Sequence, residues 1–105
     1  MLKEKEGKHH WTFLTNHAHV LLCLARDNSM RMRDIALEVG ITERAVQLLV
    51  ADLVEAGYIE RIREGRCNVY KVNGGANLRH PIEMHRTIED LVQLIHGETG
   101  RGTNR

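Results

Sequence analysis

Arg44, Gln47 and Leu48 fall on one face of a helical pattern, and Arg61, Arg63 and Arg66 follow shortly after them. Guanidinium forks and a carboxamide present fixed arrays of hydrogen-bond donors and acceptors, which suits recognition of another molecule. Nothing in the chain provides for making or breaking bonds. There is no glycine-rich phosphate loop, no nucleophile elbow and no metalloprotease histidine pair, and Gly74-Gly75 reads as a loop. No enzyme is expected. The seven histidines raise the question of a metal. His19 and Cys23 share a helix face at i, i+4, but His17, His80, His85 and His96 are scattered, whereas zinc requires three or four converging ligands. Neither a metal nor a cofactor is expected. Cys23 fits a small core position, and Cys67 lies beside a turn. Two cysteines without a spaced motif give no disulfide framework, which fits a reducing cytoplasm.

One hundred and five residues suit one domain with one core. Apolar residues make up 42% of the chain but aromatics only 4%, so the core must be built from Leu, Ile, Val, Met and Ala, as packed helices allow. The formal charge is +1, so a basic surface can arise only by local segregation. No apolar run approaches the ~18 residues a spanning helix needs, and no membrane association is expected. Met1 to Lys8 is too charged for a signal peptide.

Four helical patterns and one hairpin organise the chain, giving a mostly α fold with a small β-hairpin. Residues 1–10 read as a flexible arm and 11–78 as the main domain. Residues 79–96 read as an amphipathic C-terminal helix and 97–105 as a disordered tail. Thr15 or Asn16 caps a helix from His17 to about Arg26 whose apolar residues reach nearly all sides, marking it as central. Arg33 to Val39 forms a second helix stopped by Gly40, with Ile35, Ala36 and Val39 inward. Ile41 plugs the turn, and Thr42 caps a third helix over about 42–56. In that helix Val46, Leu49, Val50 and Leu53 make the core stripe at i, i+3, i+4, i+7. Arg44, Gln47, Leu48, Ala51 and Glu55 make the opposite one. Strands over 58–64 and 67–73 flank a turn through Glu64, Gly65 and Arg66. This hairpin carries four basic residues against two acidic ones, the local segregation that the global charge conceals. Pro81 fits the first turn of the last helix, whose apolar stripe is Met84, Ile88, Leu91 and Ile95.

A helix, a helix-turn-helix and a basic hairpin, in that order, resemble a winged helix. The segment GITERAVQLLVADLVEAGYIERIREGRCNVYKV is similar to small MarR-like and ArsR-like winged helix-turn-helix transcriptional regulators, with Ala36, Gly40, Ile41 and Val46 at the small, turn, plug and core positions. The resemblance covers roughly residues 15 to 73. It implies a sequence-specific regulator of double-stranded DNA, with the 42–56 helix in the major groove and the 58–73 wing on the backbone or minor groove. In that setting Arg44 would pair with guanine and Gln47 with adenine. Leu48, among the DNA-facing positions, departs from the polar or basic group that relatives often carry there: it would touch a thymine methyl, bury against another group, or mark a winged helix that binds protein. Thr42 would hold a phosphate, as would Arg61, Arg63 and Arg66, with Arg66 nearest the minor groove. Paired cysteines on the recognition helix, through which some ArsR-like proteins sense metal, are lacking.

Such regulators usually act as dimers, and a homodimer would set two recognition helices on half-sites ~34–36 Å apart. The expected interface combines Trp11 and Phe13 with Met84, Ile88, Leu91, Val92 and Ile95. No effector is indicated by these residues. A second reading is a winged helix used as a protein-interaction module, with Leu48 at its contact face.

Overall fold

The structure is a computed structural model and describes residues 11–97. The elements run α1 (Asn16–Arg26), α2 (Met32–Val39), α3 (Glu43–Glu55), β1 (Ile59–Glu64), β2 (Cys67–Val72) and α4 (Ile88–His96). The expected arm at 1–10, and the tail beyond Gly97, lie outside the described residues.

Helix α1 is the hub. Its N-cap is Thr15, whose hydroxyl accepts from the Ala18 N–H. Val20, Leu21, Leu22, Cys23 and Leu24 are five consecutive buried residues, and a helix buried on so many sides must be surrounded by other elements. Helices α2, α3 and α4 and strand β2 all pack on it. The centre of the core is Val20, Leu24, Ile35, Val46 and Val50. These are aliphatic groups from the first three helices, as the scarcity of aromatics requires.

The bend between α2 and α3 follows from local chemistry. Gly40 adopts φ +89°, a left-handed backbone that a Cβ disfavours. The N–H groups of both Gly40 and Ile41 then donate to the Ala36 carbonyl at 2.8 and 3.0 Å. This satisfies the end of α2 and directs Ile41 into the core. The Thr42 hydroxyl accepts from the Ala45 N–H at 3.0 Å and starts α3. Gly57, at φ +83°, closes α3 in a similar way, with Tyr58 N–H donating to the Leu53 carbonyl at 2.9 Å. The salt bridge between Arg26 and Glu38, at 2.6 Å, clasps α1 to α2.

Strands β1 and β2 pair antiparallel in the register Ile59↔Val72, Arg61↔Tyr70, Arg63↔Asn68 and Glu64↔Cys67. The turn is therefore two residues, Gly65 and Arg66, as the strand bounds 58–64 and 67–73 expect, with Glu64 ending β1. Glu64 is taken up by the ladder because Gly65 reaches φ +63°, which lets so short a turn match the twist of the strands. The hairpin is anchored to the helices by Ile59 and Tyr70, both buried. It is also tied by the Tyr70 N–H, which donates to the Asn28 carbonyl at 3.0 Å.

The last helix is shorter than its apolar pattern suggests. It begins at Ile88, and Pro81 lies outside it. Thr87 is extended (φ −105°, ψ 168°) and forms a capping box with Asp90. The preceding segment pairs with the chain after the wing. Asn77 bridges Thr87, Leu78 N–H donates to the Arg86 carbonyl, and Asn77 Nδ2 donates to the Met84 carbonyl. Backbone groups that a helix over residues 81–87 would use internally are thus engaged elsewhere. Met84 consequently sits in a loop rather than on α4.

Candidate nucleic-acid interface

Helix α3 has two chemically distinct sides. Val46, Val50 and Leu53 are buried in the core, with Leu49 half-buried beside them. On the other side Arg44, Gln47, Leu48 and Ala51 are all exposed. At 100° per residue, Arg44, Leu48 and Ala51 lie within about 60° of one another and Gln47 flanks them. Among the described residues, neither Arg44 nor Gln47 has an ion pair or a side-chain hydrogen bond. Their donors and acceptors are turned outward and uncommitted. Leu48 is 58% exposed, an aliphatic group in water at the middle of a polar stripe.

Of the acidic groups of α3, Asp52 and Glu55 lie beyond that stripe's N-terminal half, and Glu43 stands at its start. Asp52 accepts a hydrogen bond from His17 Nε2 at 2.9 Å, which turns its carboxylate toward α1. Glu55 lies near the C-terminal end and, with Asp52, His17, Tyr58 and Arg79, borders a depression on that side. Glu43 occupies the first turn, where the positive end of the helix dipole favours it.

The hairpin arginines are not equivalent. Arg61 and Arg63 share the hairpin face that also carries Ile59 and Tyr70. The Arg61 guanidinium sits 5.9 Å from the centre of the Tyr70 ring, a cation–π contact that props it in place. Arg63 Nε donates to the Gly65 carbonyl at 3.0 Å, clamping the turn. Arg66, at the tip, is exposed and without a side-chain partner among the described residues. Thr42 spends an acceptor lone pair on capping α3; its hydroxyl proton and the neighbouring helix N–H groups remain available to an anion.

Sequence reasoning passed over two further exposed cations. Arg31 and Arg33 are exposed at the start of α2, and neither has an ion pair or side-chain bond among the described residues. The signal was two arginines bracketing the first residue of a helix. The His17–Asp52 pair was out of reach, since it joins residues 35 positions apart.

Residues 15–60 match the family model described as winged helix-turn-helix DNA-binding. The match spans 46 of the 105 residues, and the order of helices and hairpin is that of a winged helix-turn-helix fold. In this winged helix, α2 and α3 are the helix-turn-helix and β1–β2 the wing. No curated protein matches the chain. No group of three or more potential metal ligands converges among the described residues. Both cysteines are free, Cys23 buried and Cys67 exposed. Burial, followed by the nearby Glu38 charge, pushes the Cys23 thiol pKa up, which keeps it protonated and unreactive. No described helix is long and apolar enough to cross a membrane.

The residues expected at a dimer interface separate into two groups. Ile88 is 4% exposed and belongs to the domain core, and Val92 packs against that core, while Leu91 is half-buried beside them. Ile88 is therefore corrected from an interface position to a core position: the first turn of α4 lies on α1, closing the monomer. Trp11 and Phe13 remain 73% and 93% exposed and touch each other edge to face, ring centres 5.2 Å apart. Met84, Leu94 and Ile95 are exposed as well. Phe13 borders an apolar cavity of about 270 Å³ that also includes Leu53, Leu78 and Leu91.

Proposed function

We propose that this protein is a sequence-specific regulator of transcription that binds double-stranded DNA as a homodimer. Helix α3 would enter the major groove, and the wing would lie along the backbone or the adjacent minor groove. The observation that carries this reading is the outward, unpaired stripe of Arg44, Gln47 and Leu48 on the second helix of the helix-turn-helix. It is set beside a wing whose tip is Arg66, while Asp52 is drawn aside by His17. Arg44 takes guanine and Gln47 adenine. Arg61, Arg63 and Arg66 take phosphates or the minor groove, and Thr42 a phosphate at the head of α3. The free thiols suit a reducing compartment, the cytoplasm. Within the broader winged helix-turn-helix match, the chain is read as a MarR-like or ArsR-like regulator.

The homodimer rests on the apolar groups the monomer leaves uncovered. Trp11, Phe13, Met84, Leu94 and Ile95 come from the two ends of the described chain, and covering them would bury surface that water disfavours.

A second reading, a winged helix that docks a protein, is favoured by Leu48 together with Leu37, which is 76% exposed on α2. Salt separates the two. If the DNA reading holds, affinity for duplex DNA falls steeply as salt rises, because each phosphate contact releases counterions. Arg66→Ala then weakens binding to all sequences and flattens the logarithmic salt slope by about 1. Weak binding with a flat salt slope contradicts DNA binding and favours the protein partner.

A further inference from the structure

Leu48 is out of place by the usual logic of surfaces. It is a large aliphatic side chain, more than half exposed, between Arg44 one turn before it and Ala51 just under one turn after it. None of these three serves the core, which α3 supplies through Val46, Val50 and Leu53. The stripe therefore offers a charged planar donor first, then a hydrocarbon, then a methyl group.

The edges of base pairs in the major groove are polar almost everywhere. Guanine shows two acceptors, adenine an acceptor and a donor, and cytosine a donor. Thymine alone adds a hydrocarbon, its C5 methyl group. A leucine pressed against a guanine, adenine or cytosine edge would strip water from groups it cannot hydrogen-bond, which costs free energy. Against the thymine methyl, apolar surface is covered on both sides. Spacing adds a constraint. Four residues of α-helix rise about 6 Å, and base pairs stack about 3.4 Å apart, so Arg44 and Leu48 span at most about two base pairs.

Resting on the DNA-binding reading above, we propose that Leu48 is a specificity-determining residue. It reads the C5 methyl of a thymine within about two base pairs of the guanine taken by Arg44. Ala51 adds no polar group and leaves room for the helix to lie close to that methyl. The preferred half-site thus contains a guanine and a thymine read by one face of α3, and the thymine is discriminated by its methyl rather than by hydrogen bonds.

The test uses the full chain and a duplex obtained by selection from a random library. Each thymine is replaced in turn by deoxyuridine, which removes the methyl and leaves the hydrogen-bonding edge unchanged. Wild type should lose about fourfold in affinity at one position per half-site, the worth of one buried methyl. Leu48→Ala, an exposed substitution that leaves the core intact, should bind the unmodified duplex more weakly than wild type and lose less than about twofold further at that position. If no deoxyuridine weakens wild type, or Leu48→Ala suffers the same loss, the assignment of Leu48 is wrong while DNA binding stands. If wild type fails to bind any duplex in a salt-sensitive way, the DNA reading falls and this inference falls with it.

Discussion

Arg44 and Gln47 concentrate the functional claim in two side chains. Each is exposed on α3 and free of side-chain partners among the described residues, so neither substitution should disturb the fold. Arg44→Ala or Gln47→Ala should each cost ~1–3 kcal/mol of discrimination at particular base pairs, with little change in thermal stability. Binding measured against single-base variants of the selected site would show this; equal losses at every position would point to phosphate contacts. This part of the surface was legible in the sequence because helical spacing alone assigns Val46, Val50 and Leu53 to one side and Arg44, Gln47 and Leu48 to the other. The differences among the wing arginines were not legible. That Arg61 leans on Tyr70 and Arg63 holds the Gly65 carbonyl depends on the strand register. The two-residue turn at Gly65 and Arg66 sets that register.

At the scale of elements, the helix-turn-helix was readable because its joints are local. Gly40, Ile41 and Thr42 supply a left-handed stop, an apolar plug and a cap in three consecutive residues. Helix α4 was misread because an apolar period continues through Met84 into the loop, while the true boundary is decided by pairing between residues 76–78 and 86–88. The capping box at Thr87 and Asp90 gives a test of that boundary. Thr87→Ala should reduce stability by about 1 kcal/mol in urea denaturation, the usual worth of such a cap. Asp90 carries a pH dependence whose direction is fixed. Its hydrogen bond from the Thr87 N–H, the largest contribution, holds its pKa below the ordinary carboxylate value. Stability from Asp90 is therefore fully present above the unfolded-state pKa and is lost as pH falls through the lower folded-state pKa. The melting temperatures of wild type and Asp90→Asn should converge as pH drops from about 5 to below about 3. A constant difference across that range would show that the carboxylate does not act through its ionised form.

At the scale of the molecule, the described residues form a core closed by α4, with Trp11, Phe13, Leu94 and Ile95 exposed outside it. Ile88 and Val92 complete the core above α1, and His96 Nε2–H donates to the Leu22 carbonyl at 2.9 Å, tying the far end of α4 to α1 as well. The sequence could not divide the apolar residues of α4 between these two duties, because a single amphipathic stripe looks the same whether it meets its own domain or a second copy. The division sets the choice of variant. Replacing Ile88 would destabilise the monomer's core, whereas Leu94→Glu combined with Ile95→Glu changes exposed positions only. That double variant should be monomeric by light scattering and keep the wild-type circular dichroism. An unchanged dimeric mass would move the interface away from α4.

The measurement that bears most directly on the central claim is selection of DNA from a random duplex library at physiological salt, with wild type and Arg44→Ala in parallel. DNA reading through α3 predicts a two-fold symmetric motif for wild type, with half-sites one helical turn apart, or ~34–36 Å. The same motif should lose its guanine preference in the variant. Enrichment of no motif by wild type, or of an identical motif by both proteins, would contradict it.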